Sequence, residues 1–165
     1  SLTQFVSSYR QLTRLAPPQK DQVPIADLFD HVTQLACAEW SDDRVELDVQ
    51  TTPKGLEVMA DRDLLEPILL NLLRNAWQAT QEISAPRISL TARLNRRGHV
   101  VIEVSDNGPG VAADINRRIF VPFFTTKKNG SGVGLALTRQ VMIAHRGYVT
   151  VGASETGGAR FSLIF

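Results

Sequence analysis

The stretch 106–137 opens with DNGPG and closes with GSGVGLAL, and it limits the possible folds of this protein more than any other. Glycine lets the backbone approach a ligand closely, with no side group in the way. The second glycine turn runs into a helix-like segment, so several unpaired N–H groups should point outward at its start, where a phosphate would sit. Between the two turns lies FVPFFTTKK at 120–128, both aromatic and basic. A third stretch, NLLRNAWQA at 71–79, repeats amides at helical spacing and completes a polar pocket.

A length of 165 residues supports one domain with a real core and one appended element. The net charge of +1 gives no ground for wholesale nucleic-acid or membrane-surface binding. Basic residues do gather at Arg117, Arg118, Lys127 and Lys128. Such a cluster is commonly solvated surface, but its place between two glycine turns also suits phosphate. Cys37 is the single cysteine, which excludes an intrachain disulfide and fits a reducing compartment. Its apolar neighbours Leu35 and Ala36 predict a buried small hydrophobe. There is no signal-peptide pattern and no long apolar run, which leaves membrane spans in a longer parent protein open.

Taken in order, Leu2, Phe5, Tyr9, Leu12 and Leu15 or Ala16 form a helical apolar stripe that Pro17-Pro18 stops. A second helix is expected over 24–39, with Pro24 in its first turn and Ile25, Leu28, Phe29, Val32, Leu35 and Ala36 buried. His31 falls off that stripe and reads as an exposed histidine. Val45, Leu47 and Val49 alternate, a turn follows at 52–55, and Leu56 and Val58 resume, which predicts an antiparallel hairpin. Asp61 suits the cap of a helix over 62–82, with Pro67 expected to kink its early turns. Asn71, Asn75, Gln78 and Glu82 share one side of that helix. Asn is a poor residue for a helix interior, so two of them one turn apart point either to a plain solvated face or to amides facing a polar ligand. A second hairpin is expected from 88–94 and 100–104, delivering Asp106 at its end. A short helix over 112–119, a helix over 133–145 and strands at 148–151 and 161–165 complete the sequence.

NLLRNAWQA, DNGPG, FVPFFTTK and GSGVGLAL, in that order, resemble the N, G1, F and G2 boxes of the catalytic domain of sensor histidine kinases. That domain is shared with the gyrase, Hsp90 and MutL proteins. PFFTTK and the terminal GGA-x-F look closest to nitrogen-regulation-type sensor kinases. The likeness covers residues 24–165 or thereabouts. It implies an α/β two-layer sandwich of the Bergerat type: a mixed, largely antiparallel sheet packed on helices, with ATP under a lid. Residues 1–18 then look like the end of a dimerisation and phosphoacceptor helix with its linker, and 19–165 like the ATP-binding catalytic domain. None of His31, His99 and His145 has the His-Glu-x-x-x-Pro-like context of the phosphoacceptor, so the sequence reads as a catalytic fragment.

The resemblance makes Asp106 the adenine reader, and chemistry agrees. A carboxylate accepts from the exocyclic amine of adenine and repels the acceptor that guanine presents there. Gly108 and Gly110 let the backbone pass the base. Asn75 is the expected Mg²⁺ ligand, since Mg²⁺ takes oxygen donors and shares its shell with phosphate. Asn71 should lie near the phosphates; gyrase-like and Hsp90-like enzymes carry a hydrolytic Glu at that position, and Asn cannot act as a general base. Gln78 departs from the lysine common in sensor kinases. Lys127, with Lys128 as second choice, should meet the γ-phosphate, helped by Thr125 and Thr126. Phe123 and Phe124 read either as core or as lid packing. Ser131, Gly132 and Gly134 should place N–H groups on the phosphates, and Leu135 should pack beneath them. Lys127, Asn71 and Thr126 are thus the expected catalytic residues.

The expected function is γ-phosphoryl transfer from ATP to a histidine on a dimerisation domain, and onward to a response regulator. A hydrolytic ATPase and a nucleotide-sensing pseudokinase are the rivals. The resemblance further implies a homodimeric parent in the bacterial cytoplasm, with an inner-membrane anchor left open. This fragment itself is expected to touch neither nucleic acid nor membrane.

Overall fold

The computed structural model describes residues 2, 3, 6, 7, 10, 16–115, 118–121 and 134–165. Strand β1 (Asp21–Pro24) leads into helix α1 (Ile25–Trp40), followed by β2 (Glu46–Thr51), β3 (Glu57–Ala60) and α2 (Arg62–Ala79). Then come β4 (Arg87–Leu94), β5 (Val100–Asp106), α3 (Gly134–Ala144), β6 (Tyr148–Ala153) and β7 (Ala159–Ile164). The five-stranded sheet has the order β2-β4-β5-β7-β6, parallel only between β2 and β4. β1 and β3 form a separate antiparallel pair. A mixed sheet packed on helices is the two-layer α/β sandwich that the box pattern implies.

The first expected hairpin does not form. β2 pairs with β4, Leu47 beside Ile88 and Val49 beside Leu90, while β3 pairs with β1, Val58 beside Val23. The turn itself is present, with Leu56 N–H donating to the Pro53 carbonyl at 2.9 Å. Alternation marks a strand and its buried face but carries nothing about its neighbour. The second hairpin forms as expected, and its register sets Ile88 against Asp106.

Alternation also explains where Asp106 points. Ile102, Val104 and Asp106 share the core-facing side of β5, and all three are buried. The carboxylate therefore ends a row of apolar side groups. Against this face α2 buries Leu65, Ile68, Leu69, Leu72, Leu73 and Ala76. α2 runs through Pro67 and stops at Ala79, so Glu82 lies beyond the helix rather than inside a 62–82 one. Thr80 closes it, its hydroxyl donating to the Trp77 carbonyl at 3.0 Å.

α1 buries Ile25, Leu28, Phe29, Val32, Ala36 and Trp40. Leu35, expected inside, is 44% exposed, and Cys37 is exposed as well. The buried row runs in four-residue steps from Val32 through Ala36 to Trp40. Positions 35 and 37 each lie about 100° to either side of it. Trp40 supplies the bulk at the end of the row and stacks on Trp77, ring centroids 6.2 Å apart.

The expected 112–119 helix is replaced, among the described residues, by successive tight turns: Ile115 N–H to the Ala112 carbonyl and Arg118 N–H to the Ile115 carbonyl. Ile119 is buried, and Phe120 meets Phe161 edge-on at 6.3 Å, which fixes this stretch to the sheet. After α3, Gly147 N–H donates to the Met142 carbonyl and Arg146 N–H to the Ile143 carbonyl, the paired bonds of a Schellman end. Arg146 occupies its left-handed position at φ 61°. Leu2 and Ala16 of the N-terminal stripe are exposed; Phe5, Tyr9, Leu12 and Leu15 lie outside the described residues.

Candidate active site

Asp106 is 4% exposed and committed through one oxygen only. Its Oδ1 accepts the N–H of Gly108 at 2.9 Å and that of Ala159 at 3.3 Å. Among the described residues no donor reaches Oδ2. Burial pushes the carboxyl above the usual carboxylate range, and the two N–H bonds offset part of that rise. Thr156 Oγ1 donates to the backbone carbonyl of the same residue at 3.1 Å. A half-satisfied, desolvated carboxyl of this kind is an acceptor waiting for an N–H donor.

The glycines around it are required by close approach. A Cβ on Gly108 would stand 2.5 Å from the Ala79 carbonyl oxygen, so the turn after β5 passes directly over the end of α2. A Cβ on Gly158 would collide with the backbone oxygen and Oδ1 of Asp106. Gly110, at φ 81°, lies beside the Gly157-Gly158 backbone. Nothing in the sequence alone singles out Gly158, Thr156 and Ala159 as site residues. The paired glycines at 157–158 look there like an ordinary hairpin turn, and only the sheet order brings β7 next to β5.

α2 supplies Asn71 and Asn75 one turn apart, both half-buried. Asn71 Nδ2 is buried with no hydrogen-bond partner among the described residues. A Cβ on Gly134 would collide with the Asn71 amide, so the first residue of α3 lies against this amide. Gln78 is exposed, and Leu135 packs half-buried on the core. The structure thus brings Asn71 to Gly134, and Asp106 to Gly108 and, through Gly108, to the end of α2. Thr125, Thr126, Lys127, Lys128, Ser131, Gly132, Phe123 and Phe124 lie outside the described residues.

His31 is half-exposed, 3.7 Å from Glu66, and has no part in this cluster. His145 is buried and bonds to the backbone at both ring nitrogens. Among the described residues no helix is long and apolar enough to cross a membrane. No group of three or more His, Cys, Asp or Glu could hold a metal there either.

Residues 60–165 match the family described as histidine kinase-, DNA gyrase B- and HSP90-like ATPases. Over 162 residues the sequence is 36% identical to the sensor histidine kinase ZraS of Escherichia coli O157:H7, with 98% of this chain matched to 35% of that protein. It is 34% identical to the signal transduction histidine-protein kinase AtoS of Escherichia coli K12, with 99% of this chain matched to 27% of that one. Among solved structures, full-length ShkA in complex with AMPPNP superposes with a TM-score of 0.85 at 30% identity, 99% of this chain on 35% of that one. The catalytic domain of the histidine kinase ThkA, nucleotide-free, superposes at 0.79 with 28% identity, 89% of this chain on 95% of that one.

This protein belongs to the histidine kinase-, DNA gyrase B- and HSP90-like ATPases, and within them it is the ATP-binding catalytic domain of the sensor histidine kinase type. It spans about a third of the length of the curated relatives it matches.

Proposed function

We propose that this domain hands the γ-phosphoryl group of ATP to a histidine on a dimerisation domain outside this sequence. The observation that carries the reading is Asp106: a buried carboxyl, held at Oδ1 and uncommitted at Oδ2, closing the core-facing row of β5. It accepts the exocyclic amine of adenine, and guanine brings an acceptor to the same place. Gly108 and Gly110 leave room for the base along the turn after β5.

The phosphates run from there toward the start of α3. Gly134, together with Ser131 and Gly132, faces them with backbone N–H groups, and Leu135 packs beneath. The orphaned Nδ2 of Asn71 gains an acceptor when a phosphate oxygen arrives. Asn75 would hold Mg²⁺ through its amide oxygen, and the metal would supply charge neutralisation for the nucleotide's phosphates. Lys127, seconded by Lys128, meets the γ-phosphate, and Thr125 and Thr126 position it. The residues present fit such a metal: half-buried amide oxygen on α2, with no protein cage among the described residues.

Asn71 offers no general base, which favours transfer to a neutral imidazole over hydrolysis, and the intact boxes speak against passive nucleotide sensing. Residues 1–18 then serve as phosphoacceptor helix end and linker, and 19–165 as the catalytic domain. The partners are the parent's own dimerisation domain, in a homodimer, and a response-regulator receiver in the bacterial cytoplasm. A thermal-shift titration with ATP, ADP and GTP, with and without Mg²⁺, tests the nucleotide part. Ligand at 100 times its Kd should add about 2.7 kcal/mol of stability. A shift with GTP equal to that with ATP would sink the role given to Asp106.

A further inference from the structure

Asp61 is a junction of three parts of the sequence. Its Oδ1 accepts Asp63 N–H at 3.1 Å and caps α2. Its Oδ2 accepts the backbone N–H of Gln19 at 2.9 Å, which fastens the segment after Pro17-Pro18 to the start of that helix. Its own N–H donates to His145 Nε2 at 3.0 Å, just past the end of α3. A backbone N–H only donates, so Nε2 presents its lone pair and the ring proton sits on Nδ1, which donates to the Val141 carbonyl at 2.8 Å. The imidazole is thereby held in one neutral tautomer between two helices.

The other end of α3 meets the middle of α2, Gly134 against Asn71. Asn71 is ten residues along from Asp61, and Gly134 eleven back from His145, so at 1.5 Å per residue the spans are about 15 and 16.5 Å. α2 and α3 therefore lie antiparallel and are joined at both ends of α3: at one end by a hydrogen bond, at the other by bare backbone against an amide. Gly134 has no side group to key into α2. Ala136, Val141 and Met142 pack α3 on the core between these contacts, and the hydrogen-bonded end adds a directional contact between the two helices.

We propose that the Asp61–His145 bond is a positioning brace that sets the phosphate-facing start of α3 against Asn71, and that the linker acts on the nucleotide site through this same junction. His145 touches no nucleotide; it is a positioning residue. The inference rests on the nucleotide reading given above, and it separates the two halves of the ligand. Asp106 reads adenine from β5, which the brace does not touch, whereas the phosphates depend on the placement of α3.

The test compares ATP with adenosine by calorimetric titration on the 165-residue protein, with Tm followed in parallel. In His145→Asn the shorter amide keeps a donor for Val141 but no longer reaches Asp61. Its ATP affinity should fall about fivefold, the scale of one net hydrogen bond, while adenosine affinity holds. His145→Gln places an amide oxygen near the position of Nε2 and should recover most of the loss. Gln19→Pro removes the N–H that follows directly on the linker, together with an exposed side chain, and should lower ATP affinity twofold or more, again sparing adenosine. An unchanged ATP-to-adenosine ratio in His145→Asn, or parallel losses of both ligands with no recovery in the Gln variant, would overturn the brace. Gln19→Pro indistinguishable from the parent would overturn its link to the linker, and this variant carries the test should the histidine replacements not fold. Failure of the unaltered protein to bind ATP would instead remove the nucleotide reading itself.

Discussion

The N–H of Ala159 donates to Asp106 Oδ1 at 3.3 Å, so the first residue of β7 helps orient a carboxylate at the last residue of β5. Two separated stretches of sequence, this one and the turn at Gly108, hold one oxygen and leave the second for a ligand.

Asp106→Asn keeps an oxygen acceptor for both N–H groups and puts an NH₂ donor where Oδ2 was. Adenosine affinity should fall by about 1.5–3 kcal/mol, the range for a hydrogen bond to a charged group. Free of ligand, the variant should melt higher than the parent at neutral pH, because an ionised, buried carboxylate has been removed. A calorimetric titration and a thermal melt on one sample check both signs.

The pH dependence follows from the raised carboxyl. For a group whose folded-state pKa exceeds its unfolded value, the stability it contributes is present below the unfolded pKa and is lost as pH rises through the folded one. Ligand-free stability should therefore drop between an ordinary aspartate pKa and the elevated value. Adenosine needs the ionised form, so its affinity should rise over the same window. Melts and titrations in parallel across the acid range, with Asp106→Asn as control, read both slopes.

Gly158→Ala should be among the most damaging small changes in the protein. The added methyl meets the backbone oxygen of Asp106, which cannot move without disturbing the sheet end, and Oδ1, which moves only by giving up its bonds from Gly108 and Ala159. Overpacking of this kind costs about 1–3 kcal/mol. Adenosine binding should weaken in the folded fraction, whereas a variant that melted and bound like the parent would refute the contact.

Arg146→Gly should stabilise. Arg146 sits at φ 61° in the Schellman end of α3, an arrangement glycine adopts at no steric cost. Left-handed strain of about 1–2 kcal/mol is relieved, and glycine's greater unfolded-state freedom returns part of it. A net gain of about 0.5–1 kcal/mol in urea titrations is expected, with nucleotide affinity unaltered.

Lys127→Ala should lower phosphotransfer to an added phosphoacceptor domain while changing ADP affinity little, since the partner proposed for it is the γ-phosphate. Asn75→Ala should remove the Mg²⁺-dependent part of nucleotide binding. Single-turnover transfer with labelled ATP, beside ADP titrations with and without Mg²⁺, distinguishes the two. Equal transfer by Lys127→Ala and the parent would shift the assignment to Lys128.

Local structure is well written in the residues. The alternation of Val100, Ile102 and Val104 leads to a buried Asp106 because a period of two continues through the last strand residue. The α2 stripe and its Asp61 cap are equally plain. Partnerships between distant stretches are not. Nothing in Leu47 or Val49 says that their strand lies beside β4 rather than β3, and no local pattern signals that Ala159 meets Asp106. Leu35 and Trp40 show the same limit on a smaller scale: a one-residue drift of a helical stripe exchanges which residue is inside. His145 reads as nothing special because its role depends on a backbone N–H far away in sequence.

Among the described residues, β2 ends the five-stranded sheet and pairs only with β4. Its free rim is therefore a row of unclaimed backbone groups, the kind of surface on which another polypeptide could add a strand. Glu46, Asp48 and Gln50 stand exposed along it. Two copies meeting rim to rim would bring like charges together, so the same acidic strand that completes the sheet also discourages its growth into aggregates.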